Sequence, residues 1–295
     1  MRPFRPSLAE TIGVAALLLA LPVAFWSPAL AIVVLSLFLL FCVTAPFFPA
    51  FGFFLPVIHR GAPEDKQVAL TFDDGPWPAS TPVLLDLLAR YHLKATFFVV
   101  GRQAAQHPEL IALILRQGHD IGNHSLRHDP FLMLRTRKTL QTDIQVTQEI
   151  LKRNGVIPLV FRPPSGITNP RLKGVLAAEN LLAVTYSCRA LDGGNRNVRN
   201  LAGKIRRRLH PGAIVMLHDV PPRQPAMTER WQQELDILFS ALRQEYHVVS
   251  LEKLIHHPVC ARIPIADGFS PREQNALAGE DTPGAQTALA QLSKP

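Results

Sequence analysis

The sequence predicts an α/β domain built on a parallel sheet and preceded by an N-terminal transmembrane segment. Two observations predict it. From about residue 66 onward, short apolar stretches rich in β-branched residues and Phe alternate with helical patterns. Ahead of them, Thr11 to Ile58 runs for 48 residues without an Asp, Glu, Lys or Arg. The 295-residue chain is 47% hydrophobic and 18% charged. That run accounts for the imbalance, because after Arg60 the composition is that of an ordinary soluble domain.

A spanning helix needs about 20 apolar residues, so the run suits two passes. They are expected near 11–26 and 30–48, with a turn at Ser27-Pro28. The Phe-rich stretch Pro49–Ile58 is expected at the interface. A cleaved signal peptide fits less well, since its apolar region spans only ~7–15 residues and ends in a small-residue cleavage site. Residues 1–58 thus read as an anchor and 59–258 as the soluble domain. Residues 259–295 read as a tail whose Gly, Pro, Ala, Gln and charge predict disorder from Asp267. Two passes return both ends to one side. Arg2 and Arg5 precede the first, Arg60 and Lys66 follow the second, and the turn is uncharged. The positive-inside rule then places the domain in the cytoplasm, while a shortened first pass would place it outside.

Within the domain, strands are expected at Val68–Phe72, Ala95–Val100, Asp120–Asn123, Leu159–Arg162, Ala183–Ser187, Ala213–Leu217 and His247–Leu251. One intervening helix opens at Thr81-Pro82 and carries Leu84, Leu85, Leu87 and Leu88. A second buries Leu140, Ile144, Ile150 and Leu151. A third opens at Asn169-Pro170, and a fourth carries Trp231, Leu235, Leu238 and Leu242 at helical spacing. About seven strands separated by helices allow either an incomplete (β/α) barrel or an open doubly wound sheet.

Charge and cysteine content narrow the function classes. The formal charge is +8. Its basic clusters, Arg135, Arg137, Lys138 and Lys204, Arg206, Arg207, Arg208, suit a solvated face or attraction to anionic membrane lipid. No aromatic-basic interleaving or nucleic-acid module is evident, so nucleic acid is disfavoured as a partner. No obligate protein partner is evident either. Cys42, Cys188 and Cys260 have no metal-ligand spacing and form no disulfide framework.

Reactive residues recur where strands end: Asp73-Asp74, His124 and His128, Arg162, Asp192 and His218. In a parallel barrel those ends share one face. His124 and His128, four apart in G-N-H-S-L-R-H-D, point the same way if the turn after the strand is helical. With one carboxylate of the Asp73-Asp74 pair they make a three-ligand set for a divalent ion such as zinc. The paired aspartates cannot share one role in a tight site, so one is expected as ligand and the other as general base. His218, in M-L-H-D, suits an acid that protonates a leaving amine, with Asp192 holding it charged and oriented. His92, His107, His119 and His210 read as structural or exposed. Trp77 suits either a sugar-stacking platform or packing.

The run T-F-D-D-G-P at Thr71–Pro76, followed by H-S-L-R-H, F-R-P-P-S-G and L-H-D, resembles the polysaccharide deacetylases of the NodB-homology type, carbohydrate esterase family 4. The resemblance covers about residues 66–255. It implies a distorted (β/α) barrel, a divalent metal (usually zinc), and hydrolysis of N-acetyl groups on amino sugars. It also implies Asp73 as base, Asp74, His124 and His128 as metal ligands, Arg162 orienting the base, His218 as acid with Asp192 behind it, and Leu217 in the acetyl pocket. Two departures stand out. Ser165 replaces the usual Tyr of R-P-P-Y-G, though its backbone N–H, which resembles an oxyanion donor, is kept. Arg189 and Gly193 stand where D-x-x-D-W has its first Asp and its Trp, which puts the acyl group and sugar in question more than the hydrolysis. Anchor and basic face favour a polyprenyl-linked amino sugar on the inner face of a bacterial inner membrane. The alternatives are an outward-facing deacetylase of peptidoglycan or exported polysaccharide, and an inactive sugar-binding relative.

Overall fold

The computed structural model describes residues 6–63 and 65–264; most of the expected tail lies outside that range. The chain opens with a helical hairpin, α1 (Leu8–Trp26) and α2 (Pro28–Thr44). Ser7 and Glu10 close a capping box on α1, and Pro28 takes the first turn of α2 after the Ser27 cap. At 19 and 17 residues the helices are about 28 and 26 Å long, close to the ~30 Å hydrocarbon core of a bilayer. Their apolar surfaces are largely exposed, and Phe25 and Trp26 stand free at the hairpin tip. Gly13 has no side chain because the ring of Phe38 occupies the place of its Cβ.

Within Pro49–Ile58, the part from Phe53 onward departs from expectation, while Phe51 is exposed. Phe53, Phe54 and Leu55 are buried in a core cluster with Leu132, Met133, Leu140, Ile144, Phe161 and Leu172. Val57–Ile58 forms the first strand, β1. The hydropathy of this stretch gave no means of separating lipid from protein as its apolar surroundings. The hairpin base is tied to the same region. Ala9 N–H donates to the Phe53 carbonyl at 2.8 Å, and Glu10 pairs with Lys173 at 3.2 Å.

The remaining strands are β2 (Gln67–Asp73), β3 (Ala95–Val99), β4 (Asp120–Asn123), β5 (Val156–Pro158), β6 (Val160–Phe161), β7 (Leu182–Val184), β8 (Cys188–Arg189), β9 (Ile214–His218), β10 (His247–Val249) and β11 (Cys260–Arg262). The helices after the hairpin are α3 (Thr81–Arg90), α4 (Gly101–Gln106), α5 (Pro108–Arg116), α6 (Arg137–Arg153), α7 (Pro170–Ala178), α8 (Leu201–Arg206), α9 (Thr228–Glu245) and α10 (Leu251–Ile255). All seven expected strand regions are strands. The main sheet runs β1-β7-β6-β4-β3-β2-β9-β8, all parallel, with β10 beside the start of β2. It curls into a half-barrel whose edge strands, β1 and β8, are unpaired with each other. Just after β1, Arg60 bridges Ala213 antiparallel. Of the expected tail, Cys260–Arg262 is strand: β11 pairs antiparallel with β5.

Alternation along the strands sorts the core. Ala69 and Ile214 face the barrel interior with Phe98, Val160 and Val184. Leu70, Phe72, Val215 and Leu217 face outward onto α3 and α9, where Leu84, Leu88, Trp231, Leu238 and Phe239 complete a larger cluster. α3 opens at Thr81, with Ser80 in the cap position and Pro82 in the first turn.

Candidate active site

Inward-facing positions at the C-terminal strand ends build the site. β2 and β9 are in register, with Asp73 opposite His218 and Thr71 opposite Met216. Thr71, Asp73, Met216 and His218 therefore share a face. Leu217 is the correction here. It lies on the opposite face of β9, packed with Phe72 in the outer core, and Met216 holds the inward place beside His218. The sequence offered two apolar neighbours before the histidine, and only strand register distinguishes them.

Asp73 is buried, and its carboxylate is 2.6 Å from Arg162 Nη1. Arg162, from the end of β6, is itself buried. It donates to Thr71 Oγ1 at 2.8 Å and to the Thr185 carbonyl at 3.0 Å, and it lies over the Phe98 ring at 3.9 Å. These further hydrogen bonds compensate the desolvation of both Nη groups, while Arg162 Nε is buried without a partner. Thr71 opens the T-F-D-D-G-P motif but had no role read for it, and Thr185 and Phe98 had no signature in the sequence beyond lying in expected strands.

Asp74 follows the strand with φ of 73°, in the left-handed region. Its Oδ1 is 3.3 Å from His124 Nε2 and 3.2 Å from His128 Nε2. The turn between the histidines is not helical, so the condition under which the sequence would align their rings is not met, yet the rings still converge. Ser125 and His128 are both left-handed, at φ of 69° and 51°, and this irregular loop brings the rings to 5.0 Å between centroids. Among the described residues, the ligand atoms of Asp74, His124 and His128 all lie within 4.8 Å of one another.

The donor set fits a divalent cation. His124 Nδ1 is 2.8 Å from the Arg162 carbonyl, which can only accept, so Nδ1 carries the hydrogen and Nε2 faces Asp74. Asp74 Oδ1 is buried with no hydrogen-bond partner. Burial works against charge on both groups. Even so, His124 and His128 hold the Asp74 carboxyl well below the usual range, and Asp73 and Asp74 raise the His124 pKa. The negative field that favours a proton at this point also favours a metal dication. Burial and the neighbouring His124 lower the His128 pKa, which keeps that imidazole in its ligating form.

Across the site, His218 Nδ1 is 3.0 Å from Asp192 Oδ2. Burial opposes the imidazolium, but Asp192, helped by Asp74 and Asp73, moves its pKa up to about 9. Burial likewise opposes ionisation of Asp192, and the His218 contact overrides it. Asn195 supports the pair: its backbone N–H donates to Asp192 Oδ2 at 3.0 Å and its amide to the His218 carbonyl at 3.0 Å.

Behind Asp74, Asp219 is fully buried and takes hydroxyl hydrogen bonds of 2.6 Å from both Ser80 and Thr81. Burial, aided by the charge of Asp74, pushes its carboxyl up to about 7. The glycine of D-D-G-P is explained here, because a Cβ on Gly75 would run into the Asp219 carboxylate. Trp77 does two things at once. Its indole N–H donates to the Asp74 carbonyl at 3.0 Å, and its ring helps line a cleft of about 450 Å³ together with Asp74, Arg102, Gln103, Arg127 and His128.

The two departures from the family pattern also have places. Ser165 is exposed, with φ of 58°. Tyr186, which sequence reading passed over, brings its hydroxyl against Gly166 and accepts from Arg189 Nη1 at 2.8 Å. Gly193 has φ of 61°, beside the Asp192 turn. Of the histidines read as structural, His119 is buried. Its Nδ1 accepts from Ala95 N–H at 3.2 Å, and burial lowers its pKa to about 4. The three cysteines are free.

Residues 60–184 match the family described as polysaccharide deacetylase. The chitooligosaccharide deacetylase of Sinorhizobium fredii is 32% identical over 185 residues, 60% of this chain and 83% of that protein. The chain belongs to the polysaccharide deacetylase family. The peptidoglycan-N-acetylglucosamine deacetylase PgdA of Listeria monocytogenes is 32% identical over 194 residues, 65% of this chain but 40% of that protein. The chain thus spans less than half the length of that relative. Among solved structures, a peptidoglycan N-acetylglucosamine deacetylase bound to an N-oxidanyl-benzamide compound superposes with a TM-score of 0.63 at 29% identity, over 69% of this chain and 94% of that one. The half-barrel is the fold of that family member.

Proposed function

We propose that this chain hydrolyses the N-acetyl group of an amino sugar. The observation that carries the reading is the meeting, at one barrel mouth, of a three-ligand cluster, an arginine-paired carboxylate and an aspartate-paired histidine. Asp74, His124 and His128 would hold one divalent ion, zinc by the chemistry of the set. Such an ion polarises a carbonyl oxygen and lowers the pKa of water.

The protein's own groups supply the rest. Asp73, fixed by Arg162, takes a proton from the attacking water as it adds to the amide carbon. The backbone N–H of Ser165 faces the oxygen that gains charge. His218, with Nδ1 held by Asp192, gives its Nε2 proton to the departing nitrogen, so the C–N bond breaks to leave acetic acid and an amine, which part in water as acetate and the ammonium form. Met216, on the face of β9 shared with His218, is placed to meet the acyl group.

The finer reading is a membrane enzyme whose domain faces the cytoplasm and whose substrate is a polyprenyl-linked amino sugar. Two apolar helices long enough to span support it, as do the basic residues flanking the apolar run. The relatives named for peptidoglycan favour a second reading, an outward-facing domain. Purified full-length protein loaded with zinc should release acetate from a chitooligosaccharide, and the metal-free form should not. Release unaffected by chelation would refute the metal-assisted mechanism. An alkaline phosphatase fusion at residue 295 should be inactive; an active fusion would select the outward reading.

A further inference from the structure

Among the described residues outside the hairpin and its exit, few large apolar side chains are exposed. Two of them, Phe131 at 61% and Leu134 at 76%, sit on one loop. That loop follows directly from the candidate ligand His128. It is a built structure. Asp129 caps it by accepting from Phe131 N–H at 2.8 Å and from Arg135 Nε at 3.1 Å. The side chains between the two exposed ones, Leu132 and Met133, turn inward onto Phe53 and Phe54, in the cluster against which Phe38, Cys42 and Ala45 of the hairpin base also pack.

A second loop from the site reaches the same place. Asn169 and Arg171 both donate to the Met133 carbonyl, at 2.5 and 2.9 Å, and Thr168 N–H donates to the Pro46 carbonyl at 3.3 Å. The exit of α2 adds Phe47, Phe48 and Phe51, all exposed. An apolar tip beside the end of a spanning helix, with Arg135, Arg137 and Lys138 next to it, has the composition of a segment that lies in the headgroup–acyl boundary of an anionic leaflet.

We infer that the Phe131–Leu134 loop is a second membrane contact, inserted in the lipid interface beside the hairpin, so that the barrel mouth is held at the bilayer surface. The inference rests on the reading that the hairpin spans the bilayer. The occupant of the loop is lipid, because the loop continues the surface on which the base of the apolar hairpin packs. A mouth held there receives a sugar whose carrier stays in the leaflet, and it disfavours a polymer lying away from the membrane.

The test uses the full chain in vesicles of phosphatidylethanolamine and phosphatidylglycerol, with p-benzoylphenylalanine placed singly at Phe131, Leu134, Ile32 or Ile237. Ile32 lies on α2 and Ile237 is exposed on α9. After irradiation, mass spectrometry should find roughly tenfold more lipid adduct at 131 and 134 than at 237, the contrast between a side chain in the interface and one in water. Adduct at 32 but no more at 131 and 134 than at 237 would overturn the inference while leaving the anchor intact. Crosslinks from 131 or 134 to a second copy of the chain would overturn it in favour of a protein interface. No adduct at 32 would sink the spanning hairpin and the inference with it.

Discussion

Asp192→Asn tests how the acid is held in its charged form. The His218 pKa of about 9 against an ordinary 6.5 corresponds to roughly 3 kcal/mol of preference for the imidazolium. Burial opposes that preference, and Asp192 is its largest source. Removing the charge while keeping the shape should return the pKa to 6.5 or below. At pH 8 the protonated fraction then drops from about nine-tenths to about 3%, a loss of up to roughly 30-fold in kcat/KM, against little loss at pH 6. A dication beside Asp74 offsets part of the negative field, so the alkaline limb of the loaded enzyme lies at or below about 9. The assay is the pH profile of acetate release between pH 6 and 10, and the variant's alkaline limb should move to lower pH. Linkage gives a second readout. The folded pKa is raised, so the pair's stabilisation is full below pH 6.5 and disappears as pH rises through about 9. The unaltered protein should lose Tm across that window, and the variant should lose less. An alkaline limb that stays in place, with activity lowered equally at every pH, would refute the reasoning.

Other substitutions separate the remaining roles. His124→Ala and His128→Ala should each lose most of the bound metal, because three protein ligands barely suffice; full occupancy of both by elemental analysis would remove the ligand assignment. Asp73→Asn should keep its metal and lose at least about 100-fold in activity, and an active, metal-loaded Asp73→Asn would reverse the division of labour with Asp74. Gly75→Ala should destabilise by about 1–3 kcal/mol, the cost of overpacking. The Asp219 carboxylate that the new methyl meets is pinned by two hydroxyls. Urea unfolding at unchanged midpoint would show that the close approach is relieved cheaply.

The sequence alone determined the anchor-like run, the alternation of strands and helices, and the set of reactive residues at strand ends. These are local patterns: hydropathy over 48 residues, period in each segment, and chemistry at fixed offsets in a motif. What it left open depends on neighbours far apart in the chain. Leu217 and Met216 are equally apolar, and only the pairing of β9 with β2 shows that Met216 faces the site. His124 and His128 converge through two left-handed residues instead of a helical turn, because backbone torsions in an irregular loop answer to packing. Phe53 and Phe54 were as suited to lipid as to a core until α6, α7 and the Leu132–Met133 turn closed over them. Thr185 and Asn195 carried no signal, and the motifs that contain Thr71 and Asp219 gave those two no role. Their roles are hydrogen bonds to groups up to 144 positions away, and a hydrogen bond across a fold leaves no periodicity in a sequence.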